Sequence, residues 1–224
     1  MFDWGMRARY DDIADWYEHD FLAAQQGADL LELARLLADL LGPGSGPCLE
    51  IGCGTGANAG RLRALGWTPV GLDISWGMLG HASARMPVTQ GDAECLPIAD
   101  GSLAAVVTVL THTDMPGYPA VLREVSRVLR PGGVFVHLGV HPCFCGGFAD
   151  RSDPAAIVIN PGYRDTQWTT ASWTANGLRD KVGATHLPLP DLLNEFLAAG
   201  LVLERFGEGG SPTPVLLGMR TRKE

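Results

Sequence analysis

The chain has 224 residues, 46% of them apolar, and a formal charge of −8, which is enough apolar material for one good core and a size at which an α/β sheet normally forms one domain. Net acidity argues against a partner recognised through its phosphate backbone, since that contact needs a basic face, so no nucleic-acid partner is expected. No apolar run reaches the roughly 18 residues of a membrane span, and the opening MFDWGMRARYDD has neither a basic leader nor an apolar signal core, so a cytoplasmic protein with no membrane partner is expected. Five cysteines, Cys48, Cys53, Cys95, Cys143 and Cys145, are an odd number that suits reduced thiols better than a disulfide framework.

Residues from Tyr10 to Leu41 read as helical. YDDIADWYEHDF leads to LLELARLLADLLG, where Leu30, Leu33, Leu37 and Leu40 recur at helical spacing before Gly42 and Pro43 stop the run. From Cys48 onward short apolar runs alternate with helical patterns. Strands are predicted near Cys48 to Ile51, Pro69 to Leu72, Val88 to Gln90, Ala104 to Leu110 and Val134 to Val140, and helices near Asn58 to Leu65, Ser75 to Arg85 and Pro119 to Leu129. Such alternation is the sequence form of βαβ units in an α/β, mostly parallel sheet. Periodicity then fails from His141 to Leu187, a stretch too long for a simple connection and read as a lid or substrate insert. PDLLNEFLAAG restores a helix, and LVLERF and PVLLGMR follow as two strands, read as an antiparallel edge pair. One domain is therefore expected, with a helical cap (1–42), a cofactor-binding core (48–140), the insert (141–187) and a C-terminal helix and strand pair (188–224).

The stretch CLEIGCGTGAN runs from strand through glycines to helix. Such a turn offers backbone N–H groups and a positive helix end to an anionic or strongly polar ligand. GCGTGA also fits the loose dinucleotide fingerprint, which keeps a nicotinamide or flavin enzyme open. The second strand ends in Asp73, placed to accept hydrogen bonds from ribose hydroxyls. Asp92 follows the third strand and can accept from an adenine amine, so the two acids together describe an adenosine clamp.

LEIGCGTG, VGLDIS, GDAECLPIADGS and LREVSRVLRPGGVFV come in the order and at about the spacing of class I S-adenosylmethionine-dependent methyltransferases, and YDDIADWYE resembles the segment that folds over the cofactor in small-molecule members. The resemblance spans Tyr10 to Val140. It implies a Rossmann-like seven-stranded sheet with helices on both faces and the last strand antiparallel, S-adenosyl-L-methionine as cofactor and S-adenosyl-L-homocysteine as product. By the same resemblance Glu50, Gly52, Gly54 and Gly56 line the methionine part, Asp73 takes the ribose, Ile74 stacks on adenine, and Asp92 with the backbone of Ala93 reads its edge. Tyr10 and Tyr17 resemble the pair closing over the methionine end, although aromatics seven apart on a helix also arise from plain packing. Trp76 departs from the family, which often has a smaller or polar residue there; it either narrows the adenine side or covers core.

A sulfonium methyl is already activated, so a general base is optional. His112, past the fourth strand, is the first candidate for one, and His141, after the fifth, is the second; His137 would share the face of His141 on an ideal strand. His141, Cys143 and Cys145 have poor zinc spacing and no second pair, so no metal is expected. In the insert, Tyr163, Arg164, Trp168 and Trp173 would roof an acceptor pocket, and Arg164 or Arg179 would meet an acidic acceptor or form a surface ion pair. The reading is methyl transfer to a small organic acceptor in a biosynthetic pathway, first at oxygen, by a monomer or homodimer. Carbon or nitrogen methylation, a cofactor-binding domain that transfers no methyl, and nicotinamide-dependent reduction are the alternatives.

Overall fold

The computed structural model describes residues 8–24, 28–153, 155–171 and 177–224. Its centre is a seven-stranded sheet of β1 (Pro47–Ile51), β2 (Thr68–Asp73), β3 (Val88–Gln90), β4 (Leu103–Val109), β5 (Leu129–Val140), β6 (Leu201–Gly209) and β7 (Leu216–Lys223), in the order β3-β2-β1-β4-β5-β7-β6. The first five strands are parallel, and β7 runs antiparallel to both neighbours. The two C-terminal strands form the expected antiparallel pair at this edge of the sheet, with β7 beside β5 and β6 outermost.

Burial on both faces explains the apolar strand runs. Leu49, Ile51, Val106 and Phe135 point into one core layer, where α4 (Tyr118–Val128) and α6 (Leu189–Ala198) contribute Val121, Leu122, Val125, Leu192 and Phe196. Their strand neighbours Cys48, Ala105, Val107, Val134 and Val136 point to the other layer, covered by Leu33, Leu36, Leu37 and Leu40 of α1 (Ala28–Leu41). The short helices α2 (Ala59–Ala64) and α3 (Trp76–Ala82) follow β1 and β2. Strand order reverses between β1 and β4, which opens a crevice at their carboxyl ends, the place where α/β sheets bind ligands.

β5 begins before its apolar run. Leu103 pairs with Leu129 and Ala105 with Val134, so a bulge absorbs the intervening Arg-Pro-Gly-Gly. The helix expected from Tyr10 to Leu41 is also not continuous. Before α1 come a 3₁₀ turn (Asp11–Ile13), an α turn (Ala14–Trp16), a π turn (Tyr17–Phe21) and an α turn (Leu22–Ala24). Tertiary contacts override helical pattern here: Phe21 of the cap packs with Leu178 and Val182 of α5 (Leu178–Val182), inside the insert. Apart from α5, the described insert holds a ribbon of Ala149–Asp150 with Val158–Ile159 and is otherwise mostly irregular. No described helix is long and apolar enough to cross a membrane.

Candidate active site

A cavity of about 670 Å³ lies at the carboxyl ends of β1, β2 and β4, roofed by the cap and the insert. Its floor is the turn after β1, where Gly52, Gly54 and Gly56 all have positive φ. Gly52 is needed twice over, because a Cβ there would also lie 2.6 Å from Thr111 Cγ2. Asp73, at the end of β2, braces that turn: Oδ2 accepts from the Gly54 N–H at 2.8 Å and Oδ1 from the Ser75 N–H at 2.9 Å. Burial pushes its pKa up, against the pull of those N–H groups. Each carboxylate oxygen keeps a further acceptor direction, and Asp73 lines the cavity.

Glu50 is 1% exposed. Its Oε1 accepts from Asn58 Nδ2 at 2.7 Å, whereas Oε2 is buried with no partner. Burial, and to a lesser degree the nearby charge of Asp73, push its pKa up to about 7. Asn58, which pattern reading did not single out, holds the Glu50 side chain and itself accepts from Arg61 Nη1 at 2.7 Å. Ile74, Asp92 and Ala93 line the same cavity with Glu94, and Asp92 Oδ1 accepts from the Glu94 N–H at 2.9 Å.

Above this floor stand Tyr10 and Tyr17, edge to face with centroids 5.8 Å apart. Burial raises both phenol pKa values. The Tyr10 hydroxyl donates to Asp114 Oδ1 at 3.0 Å, and Asp114 also receives Arg179 Nη1. Arg179 donates further to Thr113 Oγ1 and to the Gly183 carbonyl, each at 3.2 Å. Arg179 is thus no surface ion pair: it is 6% exposed, and it ties the insert to the segment after β4. Burial opposes its charge, but Asp114 and Tyr10 hold its pKa up. Asp114 was invisible to motif reading because its partners lie 65 and 104 residues away.

Leu110, at the end of β4, has φ +58, the one positive φ among the described non-glycine residues. A branched side chain in that region is strained by about 1–3 kcal/mol, a feature that clusters at functional sites. It lines the cavity with Leu22, Leu33, Val109, Met115, Trp168 and Val182, so the lining combines apolar side chains with the polar groups of Glu50 and Asp73.

Several expected contributors stand elsewhere. His112 does not line the cavity; its ring lies in the core against Tyr118 and His137, with Nδ1 buried and unpartnered, and burial holds its pKa well below the usual histidine range. His137 shares that cluster, its Nδ1 2.6 Å from the Tyr118 hydroxyl. His141 does not face the cavity either. It lies past the end of β5, with Nε2 3.0 Å from Glu208 on β6 and Nδ1 accepting from the Cys143 N–H. Cys145 Sγ turns to the Val215 carbonyl, so the His141, Cys143 and Cys145 trio does not converge. Tyr163 packs on Phe148 and His186 and accepts from the Leu189 N–H at 2.8 Å, away from the cavity. Arg164 is exposed, Trp173 lies outside the described residues, and of the four expected roof residues Trp168 lines the cavity. The Arg9 guanidinium sits 4.5 Å above the Trp168 ring. Trp76 is 69% exposed and so neither narrows the pocket nor covers core.

The sheet order is that of a Rossmann-like domain, with the glycine turn, Asp73 and Asp92 gathered at one cavity by the carboxyl ends of its strands. Residues 48–133 match the family model of a methyltransferase domain. Over 169 residues the chain is 30% identical to a probable S-adenosylmethionine-dependent methyltransferase of Mycolicibacterium smegmatis, covering 73% of this chain and 60% of that one. Over 101 residues it is 37% identical to a fatty-acid O-methyltransferase of the same species, covering 42% and 37%. The chain thus spans 37 to 60% of the length of these two curated relatives. A solved S-adenosylmethionine-dependent methyltransferase from Mesorhizobium loti has the same fold, with a TM-score of 0.70 at 21% identity over 88% of this chain and 99% of that one. The chain is thus similar, in its matched domain and in its fold, to S-adenosylmethionine-dependent methyltransferases, whose cofactor is S-adenosylmethionine. The residues present fit that group. The orphaned acceptor of Glu50 asks for a cationic donor, as an amino-acid ammonium is, and Asp73 has acceptor capacity left for a pair of hydroxyls.

Proposed function

We propose that the protein transfers the methyl group of S-adenosylmethionine, by in-line displacement, to an oxygen of a small organic acceptor with an apolar body, as a step of a biosynthetic pathway. The observation that carries this reading is one cavity whose lining joins Glu50 and Asp73 to the apolar side chains of Leu22, Leu33, Leu110 and Val182. When bound, the cofactor supplies a methyl already activated by its sulfonium, so the protein's tasks are placement and exclusion of water. Glu50, Asp73 and the glycine turn would hold the amino-acid and ribose parts, with Ile74, Asp92 and Ala93 around the adenine. Tyr10, Asp114 and Arg179 join cap, core and insert over the cavity, which is how water would be kept out.

His112 and His141 are held in contacts away from the cavity. This favours an acceptor that arrives already anionic, such as a carboxylic acid, over a neutral alcohol that needs a base. The fatty-acid O-methyltransferase among the relatives supports the same direction. Incubation with S-adenosylmethionine and a panel of medium- and long-chain carboxylic acids, phenols and amines, followed by mass spectrometry, tests it. Methyl esters together with released S-adenosylhomocysteine are expected. Products methylated only at carbon or nitrogen would overturn the oxygen assignment, and cofactor binding without release for any acceptor would overturn methyl transfer.

A further inference from the structure

Outside the cavity, the cap meets the core along one line of polar contacts. Asp11 Oδ1 accepts from Ser75 Oγ at 2.6 Å and from the Gly77 N–H at 2.9 Å, at the start of α3. Gly77 permits that approach, since a Cβ there would lie 3.0 Å from the Asp11 carbonyl oxygen. Seven residues further along the cap, Glu18 pairs with Arg85, with Nη1 to Oε2 at 3.0 Å, and Arg85 also donates to the Thr55 carbonyl at 2.7 Å. That pairing holds the Glu18 carboxyl well below the usual carboxylate range.

Beside these two anchors lie Asp15, His19 and His81. Asp15 Oδ1 is 2.9 Å from His81 Nε2, and the His19 and His81 rings cross edge to face with centroids 5.7 Å apart. One ligand atom from each of the three lies within 4.8 Å of the others. We propose that Asp15, His19 and His81 form a binding site for a divalent first-row transition ion, such as zinc, that staples the cap to α3 beside the cofactor cavity.

Two imidazoles and a carboxylate are a donor set such ions favour. Ligand bonds of about 2.0–2.2 Å place tetrahedral donors about 3.4 Å apart, so closing the observed spacing takes side-chain rotation of the order of an ångström. The flanking Asp11 and Glu18 contacts fix the backbones that carry the donors, which lowers the ordering cost of closing the site. His19 belongs to the π turn of the cap, a helix irregularity that recurs at functional sites. Asp15 and His19 are exposed, which leaves solvent access for the ion and a position for water or an exchangeable ligand. Binding exchanges the Asp15–His81 hydrogen bond for two ligand bonds, and any proton shared in it goes to solvent. Because Tyr10, Tyr17 and Leu22 of the same cap line the cavity, an ion here ties down a wall of the cofactor site. Metal capture itself does not depend on methyl transfer.

The test is calorimetric titration of the chelator-stripped full chain with zinc chloride, alongside His19→Gln, His81→Gln and Cys95→Ser, the last removing an exposed thiol that competes for zinc. One site is expected in the unaltered protein and in Cys95→Ser, weakened more than about tenfold in each histidine variant, with a cobalt(II) spectrum lacking a thiolate charge-transfer band. Hydrogen exchange of residues 11–24 should slow on zinc addition in the unaltered protein and not in the variants. No zinc site, or one that survives both histidine substitutions, overturns the proposal. A site that leaves exchange of residues 11–24 unchanged overturns the staple.

Discussion

The floor and the roof of the cavity are made in different ways. The floor comes from consecutive residues of three neighbouring parallel strands and one glycine turn, with contacts such as Asp73 to Gly54 spanning 19 residues. The roof is assembled from the cap, the segment after β4 and the insert, joined by Tyr10, Asp114 and Arg179 across 65 to 104 residues. A floor built from local backbone geometry tolerates little change in sequence. A roof built from distant side-chain pairs can be rebuilt with other residues, which is where acceptor specificity can vary within one fold.

The comparison is broken most severely by Arg179→Ala. It leaves the Asp114 carboxylate in a site where burial already raises its pKa and cuts the link between insert and cap. A loss of about 3 kcal/mol in unfolding free energy is expected by denaturant titration; a loss under about 1 kcal/mol would mean the roof does not depend on this pair. Asp73→Ala should weaken S-adenosylmethionine binding more than tenfold in calorimetry, through hydrogen bonds to a charged group worth about 1.5–3 kcal/mol, and Asp73→Asn should lose less. Unchanged affinity would detach the floor from the ribose.

Glu50 gives a pH signature. Its folded pKa, raised from 4.5 to about 7, means the free protein holds a proton there below pH 7, whereas a cationic partner needs the charged carboxylate. Cofactor affinity should therefore rise about tenfold per pH unit on approach to pH 7 and level off above it, and Glu50→Gln should flatten the profile. The same shift acts on the unliganded fold in the opposite sense. The folded state binds more protons than the unfolded one between about 4.5 and 7, so this group's contribution to stability is present at low pH and lost as pH rises through that window. The smallest effect is expected for His141→Ala. Removing its contact with Glu208 should cost about 1 kcal/mol of stability and change cofactor affinity and turnover less than about twofold; a selective loss of turnover would restore it as a base.

Much of the floor was legible in the sequence because its requirements are local. Glycines at positive φ, an acid at the end of β2 and an apolar run buried on both faces each leave a mark at fixed spacing. Glu50 was identified by resemblance, but its Asn58 support and its unpartnered oxygen appear only in three dimensions. The histidines misled for a related reason: residue type suggested chemistry at His112 and His141, and packing against His137 and pairing with Glu208 direct them elsewhere. Arg179 read as either a partner for an acidic acceptor or half of a surface ion pair because its partner Asp114 stands on another segment. The bulge in β5 and the broken cap helix were hidden because tertiary contacts, rather than propensity, set their backbone.

The most direct test of the central claim is a calorimetric titration of the protein and its Asp73→Ala variant with S-adenosylmethionine, S-adenosylhomocysteine and NADH. Binding of both adenosyl-sulfur ligands to the unaltered protein, its loss in the variant and no binding of NADH is the predicted result. Binding of NADH with neither of the other two would contradict it, leaving the fold in place without this function.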